Sequence, residues 1–362
     1  MVEGWSGGEA RMKNVFNVSH LKRSVPDDKA RGVALGAGDL GWFWQERVMR
    51  IAILGAGVSG LVCARALAHA GNHVTVWEKS RSLGGRCATR KFGDHVVDHG
   101  VQYFTLRTPK IREEVQRLCG PKLKSLPNPI LVAGQDGEVY RPGEERFYIQ
   151  DGNNRLGAIL AEGVLVKKEA EVKTIGKSGK KWRVQGEEYD VVVSSCPWPQ
   201  TATLLGKKIS SPGYDPCLTV LLEYLVPRED SSGGSAYARM DPTGRDPLAW
   251  TACENVKIGR VAEGSTVYVI QASPQYSREH LEQSPEYWAS DLQVLLEKLW
   301  HLDPERRGSV FAHRWRYARS CADREMPRDL PAGIYLCGDS VGESRLEAVW
   351  QSGWETAQRI LG

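Results

Sequence analysis

Arg50-Ile51-Ala52-Ile53-Leu54-Gly55-Ala56-Gly57-Val58-Ser59-Gly60 runs into an Ala-rich stretch and then into Val74-Thr75-Val76-Trp77-Glu78. A short apolar strand, a glycine turn, a helical run, a second strand and a terminal acid make one β-α-β unit. The glycines have separable tasks. Gly55 permits the tight exit from the strand, Gly57 lets backbone approach a pyrophosphate with no Cβ in the way, and Gly60 lets the helix lie close to the sheet. The helix start offers unpaired N–H groups and the positive end of its dipole to phosphates. Glu78, ~20 residues further on, is placed for a ribose hydroxyl. The unit predicts a dinucleotide cofactor; the competing reading is a Gly-rich loop in an ordinary α/β core.

At 362 residues the chain exceeds one core of typical size, so two domains are expected. Its 41% hydrophobic and 25% charged residues are ordinary for a soluble globular protein, and a net charge of +4 without basic blocks does not suggest nucleic acid. No apolar stretch approaches the ~20 residues that span a bilayer. Cys63, Cys87, Cys119, Cys196, Cys217, Cys253, Cys321 and Cys337 are scattered, with no CxxC or metal-ligand spacing. We expect no metal and a reducing, cytoplasmic compartment. Residues 1–48 are Gly-rich and mix acids with bases. They lack the apolar core of a secretory signal, and their acids argue against a transit peptide. They are expected to be a disordered extension, or an artefact of start-site choice, since Met49 stands just before the first strand.

Further along, Pro109–Cys119 and Tyr287–Trp300 carry helical apolar spacing, and Leu156–Ala161 reads as a helix. Hairpins are expected over Gly120–Tyr148, and strands over Val164–Val172, Lys181–Val184 and His313–Ala318. Asp190–Ser195 reads as a buried parallel strand closed by Pro197-Trp198-Pro199. Leu218–Val226 and Thr266–Ala272 read as a more antiparallel layer. Gly333–Asp339 is a strand ending in Gly-Asp, before a terminal helix Leu346–Leu361. The nucleotide-binding parts lie at both ends and in the middle. The expected fold is α/β: a discontinuous Rossmann-like domain (49–106, 153–207 and 311–362) with a mixed α+β substrate domain (107–152 and 208–310) threaded between its parts.

Two more motifs bear on the cofactor. Gly84-Gly85-Arg86 lets the chain pass near the pyrophosphate, and the forked guanidinium of Arg86 can neutralise it. The alternative is a surface turn with a solvated Arg. Asp339 after Gly338 can hold a ribityl hydroxyl or approach the phosphates through water, and the helix starting near Arg345–Glu347 can aim its dipole at a flavin's N1–C2 edge. Otherwise Asp339 is a turn or capping residue.

Together Gly55–Gly60, Glu78, Gly84-Gly85-Arg86 and Gly338-Asp339 resemble the FAD-binding set of the flavin amine oxidase superfamily. Over about residues 49–362 the chain is most similar to its renalase-like NAD(P)/FAD-dependent oxidoreductases. The segments carrying this are Gly84–Arg90, Asp98-His99-Gly100-Val101-Gln102-Tyr103-Phe104-Thr105, His313-Arg314-Trp315-Arg316-Tyr317-Ala318 and Leu346–Gly353. Val101 stands where the family usually has Ala, and Ala348 where it usually has Gly. The resemblance implies an amine-oxidase-like fold and noncovalent FAD, not NAD, in the glycine-loop site. It extends that site over Ala56, Val58, Ser59, Lys79, Gly85, Arg86, Gly100, Val101, Gln102, Val172, Gly338, Asp339, Leu346, Glu347 and Ala348. The Gln102 amide would pair with the flavin's polar edge. Tyr103, Trp315 and Tyr317 would wall a slot for a flat substrate, unless they are packing between domains. His99 reads as a structural residue.

The chemistry implied is hydride transfer from a dihydronicotinamide, NAD(P)H or a misreduced isomer, to flavin N5, with O2 as acceptor and H2O2 as product. The donor leaves as an aromatic cation and needs no strong base. Gln102, Tyr103 and Trp315 are the candidate catalytic residues. An amine (C–N) oxidase, and a non-redox isomerase or interaction protein, are the alternatives. A hydroxylase lacks support because its Gly-Asp-Ala-Ala-His continuation is absent. A second nucleotide fingerprint is missing, so a nicotinamide would bind transiently at the flavin face. The expected partner is a small molecule, with no nucleic acid and no membrane span.

Overall fold

In the computed structural model, described for residues 48–134, 137–141, 144–228, 236–322, 324 and 327–362, the strand Arg50–Leu54 is the centre of a five-stranded parallel sheet. His73–Trp77 and then Leu165–Lys167 lie on one side of it; Val191–Ser194 and then Ile334–Leu336 lie on the other. Stretches more than a hundred residues apart thus form one sheet. Its strands are apolar on both faces, as a sheet covered on both sides requires. Ile51, Ile53, Val76 and Val193 meet the helices Val58–His69 and Leu346–Leu361, while Ala52, Leu54 and Val192 meet Trp182, Val184 and Tyr189 of a small three-stranded antiparallel sheet. The expected extension of residues 1–48 falls almost wholly outside the described residues.

The second layer is a seven-stranded sheet ordered Arg307–Ser320, Tyr214–Tyr224, Thr266–Gln271, Trp250–Cys253, Ala238–Met240, Ile130–Gly134 and Gly137–Arg141. All its pairings are antiparallel except Ala238–Met240 with Ile130–Gly134. Period two divides its faces. Leu218, Val220, Leu222 and Ile270 pack under Trp288, Leu292 and Leu296 of the helix Pro285–Trp300. Leu221, Val269 and Phe311 meet Phe92 and Val97 of a hairpin, Thr89–Phe92 with His95–Asp98, that comes from the nucleotide-binding part of the chain. The helix Pro285–Trp300 starts two residues before the expected Tyr287 because the Ser284 side chain accepts from the Tyr287 N–H and Pro285 fits the first turn.

Several elements differ from the sequence reading. The strand through His313 is longer, Arg307–Ser320, because it pairs with most of Tyr214–Tyr224, with two register shifts. Of Val164–Val172 only Leu165–Lys167 is strand; beyond it the chain crosses the end of the next strand, where the Ala170 N–H donates to the Glu78 carbonyl at 2.9 Å. Pro197-Trp198-Pro199 opens a short helix, Trp198–Leu204, because prolines suit a first helical turn. Within Gly120–Tyr148 one hairpin forms, Ile130–Gly134 with Gly137–Arg141. Arg146–Ile149 pairs instead with Leu123–Ser125 and Phe104–Thr105. Among the described residues no helix is long and apolar enough to cross a membrane, and no His/Cys/Asp/Glu group is set to hold a metal.

Candidate active site

The glycine loop separates what the protein needs from what a ligand needs. Gly55 has φ +95°, and an added Cβ would lie 2.7 Å from Ser195 Oγ. At Gly60 an added Cβ would lie 2.4 Å from the Gly55 carbonyl oxygen. Both glycines are demanded by the fold. Gly57 is not: its φ is −72° and a Cβ there meets nothing within 4 Å. It begins the helix Val58–His69, which has no side-chain cap and no acid in its first turn. Open space before uncapped N–H groups fits a pyrophosphate. Glu78 is buried and accepts from Ala56 N–H and Ser80 N–H, each at 2.7 Å, so its carboxylate is rigidly presented at the loop. Lys79 beside it is exposed, and Val172 packs against the cluster that holds Trp77.

Gly84-Gly85 runs directly over this loop. Gly84 N–H donates to Ala56 O at 2.9 Å, and a Cβ on Gly85 would come 3.0 Å from Gly57 Cα. Arg86 and Asp339 need correction as independent ligands. Arg86 forks onto Asp339 with both terminal nitrogens, one of them at 2.7 Å, and also donates to Ala318 O at 3.1 Å. Asp339 further accepts from Ser344 Oγ (2.6 Å) and Tyr214 OH (3.2 Å). Burial alone would raise its carboxyl, but Arg86 holds it below the usual range. The carboxylate is saturated by four donors, so the pair ties the first glycine-rich segment to the last. Glu347 is likewise turned inward, accepting from Thr108 N–H. Leu346 is buried and Ala348 half-buried at the start of the terminal helix, which has no side-chain cap at Arg345. That helix packs tightly on the glycine motif, since a Cβ at Gly353 would lie 2.3 Å from Ser59 O, and the turn before it does too, since one at Gly338 (φ +85°) would lie 2.7 Å from Ser59 Oγ. Cys196 and Cys337 beside the loop are pushed up by burial, to about 11 and about 12, and are protonated packing groups.

The segment from Asp98 to Tyr103 leaves the hairpin and lies against the second sheet. Directly paired residues on neighbouring strands share a face, so the register places Trp250, Gln271, Thr219 and His313 in one row, flanked by Phe311 and Trp315. This row receives the segment. Gln271 Nε2 donates to Gly100 O at 2.7 Å, Trp315 Nε1 donates to His99 O at 3.0 Å, and Tyr103 packs on Trp250 at 5.8 Å between ring centroids. His99 stacks on Trp315 (5.6 Å) and meets His313 edge-on (5.0 Å). Its Nδ1 is buried without a partner, and burial, then His313, lowers its pKa to about 4, so the ring is neutral.

Of the expected slot, Trp315 touches this segment at His99, while Tyr103, at the segment's end, packs on Trp250. Tyr317 is elsewhere, packed edge-on against Tyr214 at 5.8 Å. Gln102 also needs correction: its amide donates to Asp98 O and accepts from Tyr237 OH at 3.4 Å, so it braces its own turn and is not held out for a ring edge. Gly100 is required by packing, since a Cβ would lie 2.0 Å from Arg86 O, and Val101 is half-buried against the first core.

Asp98, Lys257, Arg260 and Glu254 escaped the sequence reading. All four side chains are fully buried. Asp98 accepts from Lys257 Nζ (3.0 Å), Arg260 (2.8 Å), Thr89 Oγ1 (2.5 Å) and Asn153 N–H (3.0 Å). Burial works against its charge, yet Lys257 and Arg260 keep its carboxyl below the usual range. Lys257 Nζ also lies 2.8 Å from Glu254 Oε1, a charge contact off the hydrogen-bond direction; burial raises the Glu254 carboxyl. Only the adjacency of Asp98 to the His-Gly-Val-Gln-Tyr motif hinted at this. Lys257 and Arg260 sit in a stretch that reads as a polar turn.

Residues 53–119 match the NAD(P)-binding Rossmann-like domain family, and residues 130–361 match the flavin containing amine oxidoreductase family. The chain belongs to the flavin-containing amine oxidoreductase family, and FAD is its cofactor. Among relatives, the chain is 36% identical over 72 residues to 4,4'-diapophytoene desaturase of Staphylococcus aureus (strain MRSA252). That match covers 20% of this chain and spans only 14% of the desaturase. Its fold resembles a putative protoporphyrinogen oxidase from Exiguobacterium sp. 255-15 (TM-score 0.70, 14% identity, 86% of this chain and 98% of that one). It also resembles cyclohexylamine oxidase from Brevibacterium oxydans IH-35A (TM-score 0.66, 12% identity, 87% and 99%).

Proposed function

We propose that this flavoprotein oxidises a dihydronicotinamide, NAD(P)H or a misreduced isomer, as its renalase-like motifs imply. The observation that carries the reading is the neutral aromatic wall facing the Asp98–Tyr103 segment. Trp315, His313 and Phe311 come from one strand, and His99 is held uncharged against them. Such a wall stacks a planar ring. The charged groups of the segment's neighbourhood, Asp98 and Lys257, are committed to each other and poorly placed to serve as a proton acceptor. A donor that becomes an aromatic cation on losing hydride requires none. When bound, FAD supplies the hydride acceptor at N5 and passes the electron pair to O2, which with a further proton from solvent becomes H2O2.

The chain's own part is positional. Gly57, the helix after it and Glu78 hold the dinucleotide, and the wall orients the donor. We further propose that FAD is noncovalent, that the donor is taken from free coenzyme in the cytoplasm, and that the residue ranges 49–106, 153–207 and 311–362 act as the cofactor domain. Anaerobic mixing of the yellow protein with NADH, NADPH, their misreduced isomers and a panel of small amines tests the reading. Bleaching of the yellow flavin colour by a dihydronicotinamide is the expected result. No bleaching by any of them removes the proposal, and fast bleaching by an amine replaces it with amine oxidation.

A further inference from the structure

The row of rings does not end at Phe311. The guanidinium carbon of Arg90 lies over the Phe311 ring, 3.8 Å from its centroid, within cation–π distance. The two ends of the row differ in burial. His99 is buried, Trp315, His313 and Phe311 are half-buried, and Arg90 is exposed. Among the described residues many arginines are paired with carboxylates, including Arg86, Arg107, Arg112, Arg260, Arg307 and Arg316. Among the described residues Arg90 pairs with none. Stacking on Phe311 holds its position while leaving its N–H edge free. Burial lowers both His99 and His313, with Arg90 adding to the effect, so Arg90 is the fixed positive charge of the row.

We propose that Arg90 on Phe311 is an anion-binding ledge for the phosphate of a nucleotide whose flat ring stacks at Trp315. Phe311 and Trp315 are four positions apart on an extended strand, ~13 Å, with the His313 ring between them, 4.3 Å from Trp315 and 6.3 Å from Phe311, so a ribose joining ring and phosphate would cross over His313. A planar guanidinium suits a phosphate because it can offer two parallel N–H donors. The ledge rests on the dihydronicotinamide reading for the identity of the ring but not for the anion. It makes the phosphorylated form of the donor, rather than the bare nucleoside, the preferred ligand.

The test uses the full-length FAD-loaded protein, titrated calorimetrically with oxidised nicotinamide mononucleotide and with nicotinamide riboside, which differ by the phosphate alone. The wild type is expected to bind the mononucleotide more tightly. Arg90→Gln should weaken it about tenfold, the loss typical of one charge-assisted hydrogen bond, bringing it to the affinity of the riboside. Arg90→Lys, which keeps charge but loses the fork, should fall between the two. No mononucleotide binding, equal binding of both ligands by the wild type, or equal weakening of both in Arg90→Gln overturns the ledge. Phosphate-selective, Arg90-dependent binding without flavin bleaching by any dihydronicotinamide keeps the ledge and removes only the hydride-donor reading.

Discussion

Lys257 Nζ and Asp98 Oδ2 meet at 3.0 Å across 159 residues of sequence, and neither side chain is exposed. The contact joins the turn after the strand Trp250–Cys253 to the end of the hairpin that leads into His99-Gly100-Val101-Gln102-Tyr103. A buried charge is tolerated only when paired, so removing one partner costs more than the pair contributes.

Lys257→Met should therefore destabilise the protein by about 3–5 kcal/mol, read as a lower denaturant midpoint. Glu254→Gln in the same background should restore part of that loss, because it removes the acid left without its lysine and leaves Asp98 paired with Arg260. Equal stability of the single and double variants would contradict the coupling.

Gly57→Ala and Gly60→Ala should behave oppositely. An Ala at position 57 meets no protein atom, so stability of the FAD-free chain should change by less than about 1 kcal/mol, while FAD affinity falls because the Cβ enters the pyrophosphate space. An Ala at position 60 collides with the Gly55 carbonyl and should impair folding itself. Flavin titration beside thermal unfolding separates the two.

Asp339→Ala should leave Arg86 without its carboxylate and cost about 3 kcal/mol, with loss of bound flavin as the last strand and the Gly-Gly turn come apart. Glu78→Ala should release FAD with a smaller effect on the fold, because the two N–H groups it serves lie at the edge of the cofactor site. Retained yellow colour after desalting in Glu78→Ala would count against its role.

Acid should act in two windows. His99 has a folded pKa of about 4 against 6.5 unfolded, burial and His313 lowering it, with Arg90 adding to this and Asp98 opposing. Its stabilising effect is complete above pH 6.5 and is lost as pH falls toward 4, where the unfolded chain binds the proton more readily. Glu223 is lowered to about 2: burial opposes this, and the His95 contact at 2.9 Å with Ser309 and Ser265 outweighs it. His95 Nδ1 accepts from Ala262 N–H, which leaves Nε2–H to donate to Glu223. That contribution is present above pH 4.5 and fades toward pH 2. Urea midpoints measured against pH should show both slopes, and His99→Phe should flatten only the upper one.

Local pattern reached far into this fold. The apolar runs at Arg50–Leu54, Val191–Ser194 and Ile334–Leu336 identify buried parallel strands because a sheet covered on both faces has no polar alternation to hide them. Apolar spacing identifies helices at Pro109–Cys119 and Tyr287–Trp300, the second of which begins two residues earlier, at Pro285, in the structure. Side-chain partners were not legible in the same way. Arg86 and Asp339 each read as a free ligand because nothing local to either announces the other, 253 residues away.

The chain's linear order determined that a dinucleotide is held at a glycine turn, since strand, loop, helix and acid are contiguous and their roles follow from backbone geometry within one β-α-β unit. Tertiary structure alone decided which glycine is left for the ligand, that Gln102 braces its own turn, and that Lys257 and Arg260 are core residues. It also decided that Phe311, His313 and Trp315 come to stand beside His99. Those outcomes depend on strand register and on which surfaces lose water when distant segments meet. The contacts of Trp315 with His99 and of Lys257 with Asp98 join residues more than 150 positions apart, and no window along the sequence contains both partners.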